Sequence, residues 1–167
     1  MISKFELPPP KLLGIIAITA ITFLITSIIR HLLFQSNALD LGWFDQAIYL
    51  ISVGENPIVS FQDFHILGDH AAFILYPIAL FYKLYPSVYW LFLIQAIALS
   101  LGAWPTWLLA KQAGLKPDQC LAIAVAYLLY PMLFNLNLFD FHPEVIALPT
   151  LIWAIYTARM KQFKRFI

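Results

Sequence analysis

Three stretches of this chain run without a charged residue for about the depth of a bilayer. They are Leu12–Ile29, Val88–Ala110 and Cys120–Phe139. Roughly 30 Å of hydrocarbon takes about 20 helical residues to cross. A fourth apolar run, Val145–Ala158, is shorter, and Pro143 suits the first position of its helix. The composition agrees: 62% of the 167 residues are hydrophobic and 11% charged, against roughly half and a quarter in soluble domains. A core of this size cannot hide that excess, so a soluble enzyme is excluded. A net charge of +1 without basic blocks argues against nucleic acid as a partner. A single cysteine, Cys120, excludes a disulfide within the chain and any multi-cysteine zinc site.

The apolar run Ala71–Tyr82 holds Pro77, is followed by Lys83 and covers only 12 residues. A segment of that length lies at an interface more readily than it spans. Tyr76, Tyr82, Tyr85, Tyr89 and Trp90 cluster at its end, and such rings favour the headgroup level. Residues 71–86 are therefore expected to form an interfacial helix. Charge supports that choice. With four spans, one side receives Lys4, Lys11, Lys111, Lys116, Arg159, Lys161, Lys164 and Arg165, eight of the ten basic residues. The opposite side receives Asp40, Asp45, Glu55, Asp63, Asp69, Asp140 and Glu144 with Arg30 and Lys83. The positive-inside rule makes the first side cytoplasmic.

The expected architecture is all-α and integral to the membrane, a single domain over 1–167. Its spans are 12–33, 88–110, 120–139 and 145–158; its outer loops are 34–87 and 140–144; its inner loop is 111–119 and its basic inner tail 159–167. Both termini are expected in the cytoplasm of a plasma-membrane protein in contact with lipid. Lys4 and Lys11 precede the first run in the manner of a secretory signal. That run is longer than the usual apolar region of about 7–15 residues, which favours an uncleaved anchor.

The first outer loop is long enough to require a purpose. Asp40 is placed to cap a helix over 41–53, with Gly54 ending it and Pro57 preventing its restart. Phe44, Ile48 and Ile51, with Trp43, Ala47 and Leu50 beside them, form an apolar face expected to lie down on the membrane. Three polar groups then fall on the outer side: Asp40 and Asp45; Asp63, His65, Asp69 and His70; and Asp140, His142 and Glu144. Carboxylates beside imidazoles can act as general bases or hold a hard divalent cation, Mg or Mn. Each group also has a plain structural use. Asp40 can serve only as a cap; Asp140 and Glu144 flank a helix start, where the macrodipole favours acids; Asp69 and His70 can pair with each other or with Arg30. Asp45 has no helix-end role to explain it. Within the spans, Gln95, Asn135 and Asn137 are expected to bind helix to helix first and to line a pocket second. No span carries a charge near its middle, which argues against an ion pump or a proton-coupled transporter.

The motifs Asp40-Leu41-Gly42-Trp43-Phe44-Asp45-Gln46, Leu67-Gly68-Asp69-His70 and Leu138-Phe139-Asp140-Phe141-His142-Pro143-Glu144 resemble those of the predicted membrane proteins called "domain of unknown function 2079". The last motif, which leads into Ala147-Leu148-Pro149, is the most specific. That family is similar to the GT-C type of integral-membrane glycosyltransferases, which take a sugar from a polyprenyl-phosphate donor at the outer face. In them a catalytic acid stands in the first outer loop. The resemblance thus implies Asp45 or Asp40 as catalytic acid, Asp45 the favoured one. Asp69, His70, Asp140, His142 and Glu144 would bind substrate, and a divalent ion would be an optional addition. It also implies an N-terminal portion of such a fold, completed by a C-terminal part or a protein partner. The alternative is a non-catalytic membrane scaffold that uses the outer loop to hold a partner.

Overall fold

The computed structural model describes residues 6–69 and 71–160, and these are helical almost throughout. The first helix, α1 (Pro10–Leu32), starts on Pro10 at its first turn, where a missing N–H costs nothing. Most of its surface remains uncovered by protein, as befits a helix that is apolar all round and meets lipid. After it, a π-helical turn (Ala38–Gly42) leads into α2 (Trp43–Val53), and α3 (Leu75–Leu84) follows a loop. Next come α4 (Tyr89–Leu101) and α5 (Ala103–Gln112), continuous through Gly102. Then α6 (Pro117–Leu128) and α7 (Pro131–Leu138) are separated at Tyr130, whose extended backbone is what a residue before proline adopts. A 3₁₀ turn (Pro143–Ile146) precedes α8 (Ala147–Arg159).

Among the described residues, three helices are long and apolar enough to cross a membrane: Pro10–Leu32, Tyr89–Gln112 and Pro117–Leu138. The middle one is the hub, with 67% of its most apolar stretch buried, against 22% for each of the other two.

Three apolar clusters follow one another along the bundle. At one end Leu12 and Ile16 meet Trp107, Leu108, Cys120 and Ala124. In the middle Phe23 meets Ala96, Leu99, Leu133 and Val145. At the other end α2 and α3 pack through Phe44, Ile48, Leu75, Ile78 and Ala79 onto Leu91, Phe92 and Phe141. Polar pairs mark the first end: Lys111 bonds Glu6, and Arg159 donates to Gln112 at 3.0 Å. The C-terminal end of α8 thus returns to the level of the 111–119 loop. Lys4, Lys161, Lys164 and Arg165 lie outside the described residues.

The segment between α1 and α4 differs from expectation in two respects. The apolar face of α2 does not lie on lipid. Trp43, Phe44, Ala47 and Ile48 are buried against α3 and Phe141, and α3 presents exposed Tyr76, Leu80 and Leu84 on its far side. A face that wide removes more apolar area from water against a partner helix than it would by resting in headgroups. Secondly, Asp40 caps nothing. The side chain of Asn37 accepts the N–H of Leu39 at 2.9 Å and starts the π-helical turn, which frees the Asp40 carboxylate. Gly54 does end α2, in the left-handed conformation at φ 82°.

Gly102 is the tight point of the bundle. A Cβ there would overlap the hydroxyl of Tyr127, which donates to Leu99 O at 2.9 Å. Gly102→Ala is therefore expected to lower stability by about 1–3 kcal/mol, read as a lower melting temperature in detergent. The ring of Tyr127 is overlapped as well as its hydroxyl, so the loss should shrink when the same change is made on a Tyr127→Ala background. Equal losses on both backgrounds would remove the Tyr127 side chain as the cause.

Candidate functional site

The end of the bundle opposite Lys111 and Arg159 is held together by a buried polar knot. Asp140 is 3% exposed and has φ 84°, a left-handed conformation that aspartate tolerates better than most residues. Its Oδ1 is ion-paired with Arg30 at the end of α1, and its Oδ2 accepts the Asn37 N–H at 2.9 Å. Gln95, wholly buried on α4, donates to the carbonyls of Asp140 (2.8 Å) and Asn137 (3.1 Å) and accepts the His142 N–H at 3.1 Å. Asn137 donates to Phe23 O and to Ser27 Oγ, both at 2.9 Å. A loop with this many buried carbonyls needs such partners, and α1 and α4 supply them. Gln95 and Asn137 are the helix-to-helix ties expected of them, whereas Asn135 is exposed. The acid that holds Arg30 is Asp140.

On top of the knot sits His142. Its ring stacks on Phe139 with centroids 5.3 Å apart and meets the ring of Phe44 at 5.9 Å. Its Nε2 lies 3.8 Å from Asp40 Oδ1, and both side chains are partly exposed. Two sequence-distant motifs thus meet side chain to side chain. Phe44 also packs edge-on against Phe141 at 5.7 Å, so the start of α2 is fixed directly to the loop between α7 and α8.

Asp45 points elsewhere, into a cleft of about 540 Å³ between the π-helical turn, α2, and the junction of α3 and α4. That volume falls within the range of small-molecule sites, roughly 300–1,000 Å³. His31, Ser36, Asn37, Tyr49, Tyr82 and Ser87 supply its polar lining. The Tyr82 hydroxyl donates to Asp45 Oδ1 at 2.6 Å, while Oδ2 has no partner among the described residues. Burial, then the bond to Asp45 and its negative charge, push the Tyr82 phenol far above its ordinary pKa. Tyr82 therefore remains a donor at any physiological pH and fixes the rotamer of the carboxylate. On the cleft wall His31 Nδ1 lies 3.0 Å from Ser36 Oγ, its ring held edge-on by Tyr89 and Phe92.

The remaining predicted residues are divided. Glu144 is exposed and lines a separate, largely apolar cleft of about 390 Å³ with Ala71, Phe73 and Ile146. Asp69 is exposed at the end of a 3₁₀ turn (Ile66–Gly68), and His70 lies outside the described residues. His65 turns its Nδ1 to the Leu67 N–H at 3.1 Å, a local bond. Among the described residues no three His, Cys, Asp or Glu side chains come together as a metal would require. Asp40 and His142 offer two donors at one point, and a Mg or Mn ion held there would take its remaining ligands from water and a bound phosphate. The sequence reading missed Tyr82, His31, Ser36, Asn37, Tyr49 and Ser87 as cleft residues. In sequence Tyr82 belongs to the aromatic belt, and the others carry no signal until the π-helical turn and the α3–α4 junction bring them together.

Comparison with known proteins gives one family. A family model described as "Predicted membrane protein (DUF2079)" matches residues 30–167. No curated protein and no solved structure matches the chain.

Proposed function

The chain belongs to the DUF2079 family of predicted membrane proteins, and on that premise we propose that it is a module of a GT-C-like membrane glycosyltransferase, acting at the outer face on a polyprenyl-phosphate-linked sugar. The observation that carries this reading is Asp45. It is a carboxylate with one oxygen held by a permanent donor and the other turned into a cleft at the end of the bundle opposite Lys111 and Arg159. In this reading α8 forms a fourth, short span and both termini are cytoplasmic, which the positive-inside rule supports.

In the proposed step Asp45 Oδ2 removes the proton from an acceptor hydroxyl as that oxygen attacks the anomeric carbon of the donor sugar. The bond from that carbon to the phosphate oxygen breaks, and polyprenyl phosphate leaves with the electron pair. Tyr82 orients the base. His142, whose ring lies against Phe44 at the start of α2, steadies the leaving phosphate as the proton carrier in this reading, and Asp40 orients its Nε2. Asp140 acts here by shaping the loop that carries His142.

The reading is tested by mass spectrometry of the membrane lipids of a strain lacking the gene. A lipid-linked sugar should accumulate and return to its former level when the intact gene is restored. An unchanged pool of lipid-linked sugars would contradict transfer from such a donor.

A further inference from the structure

We infer that the Asp45 cleft receives an uncharged, polyhydroxylated ring, a sugar, and that the phosphate of the lipid carrier lies outside it. This deepens the glycosyl-transfer reading and rests on it for the part Asp45 plays in the reaction. The groups that line the cleft are one carboxylate, one amide, one imidazole and several hydroxyls, with the rings of Tyr49 and Tyr82 beside them. None of the lining residues is a lysine or an arginine. The nearest motif cation that could have served, Arg30, is already ion-paired with buried Asp140.

That lining suits vicinal hydroxyls. A carboxylate oxygen accepts from one hydroxyl while a neighbouring amide N–H donates to the next. Asp45 Oδ2 is open, and the Asn37 side chain uses its oxygen on Leu39, so its NH₂ donors remain for a ligand. Tyr49 is half-exposed and its hydroxyl bonds nothing among the described residues. Its ring offers a flat apolar surface for the C–H face of a sugar. A phosphate would meet the opposite conditions. The start of α4 at Val88 lines the wall, but no lysine or arginine joins it to replace a phosphate's water, and the phosphate would approach a fixed negative charge across a partly desolvated gap.

The test uses the full chain purified in detergent and saturation-transfer NMR with methyl glycosides of several hexoses and pentoses as probes. At least one glycoside should take up saturation, and excess inorganic phosphate or pyrophosphate should leave that signal unchanged. Asp45→Ala and, separately, Tyr49→Ala should weaken binding roughly tenfold or more; the second change removes an exposed ring with no structural bond, so folding is not at stake. Competition by the lipid-linked sugar would assign the ring to the donor, and its absence would assign it to the acceptor; both outcomes support a sugar cleft. Displacement of the glycoside by phosphate, or binding indifferent to both substitutions, would overturn the inference. Glycoside binding in a chain whose deletion leaves lipid-linked sugars unchanged would keep this inference and remove the transfer reading. A transferase whose cleft answers to phosphate would do the reverse.

Discussion

Asp140→Ala is expected to cost about 3–5 kcal/mol of stability, the penalty for stranding one member of a buried ion pair. Arg30 would lose its partner, the Asn37 N–H would lose its acceptor, and alanine would be held at φ 84°, which it tolerates poorly. The effect should reach beyond the mutated loop, because Asn37 opens the π-helical turn from which α2 starts. Asp140→Asn keeps the left-handed preference and one acceptor, and should lose clearly less. Arg30→Met and Asp140→Asn combined should cost less than the sum of the two single changes, since each alone leaves the other group uncompensated. Unfolding of the detergent-purified chain measures all four. Additive losses would mean that the pair does not act as a unit.

The second large effect concerns chemistry. Asp45→Asn preserves shape and can still accept the Tyr82 hydroxyl, yet it cannot take a proton. Transfer from a lipid-linked sugar should fall by about 10²–10⁴-fold, the usual contribution of a general base, with the amount of protein in the membrane unchanged. Tyr82→Phe removes the bond that fixes the carboxylate but leaves the base, so its loss should be smaller and sit mainly in kcat. Wild-type turnover in Asp45→Asn would remove that carboxylate from the reaction.

Much of this was visible in the residues. Uncharged runs of bilayer length give the spanning helices, because no other arrangement satisfies so much backbone in lipid. Among the described residues, Asp40, Asp45, Asp140 and His142 lie at one end of the bundle. Gly54 was readable as a stop because a left-handed residue there favours glycine. The division of labour among the acids was not readable. Asp40, Asp45 and Asp140 look alike in sequence, and their uses differ because Arg30 arrives at Asp140 from a helix 110 residues away. The same holds for α2: its apolar face was evident, but whether lipid or α3 would cover it depends on a tertiary contact. Tyr82 illustrates the limit most plainly, since an interfacial tyrosine and one that orients a base have the same local pattern.

The account depends on the motif around Asp40–Asp45 and the motif around His142 meeting at one outward face. The direct measurement is cross-linking in intact cells by a short bifunctional methanethiosulfonate reagent of a Cys120→Ala chain with cysteines introduced by Asp40→Cys and His142→Cys, the linked peptides being read by mass spectrometry. The tips of the native side chains approach to 3.8 Å, so the two thiols lie within reach of one such reagent, and the link should be reopened by a reductant that cannot cross the membrane. A pair that never links, or that such a reductant reaches only after the cells are opened, would contradict the account.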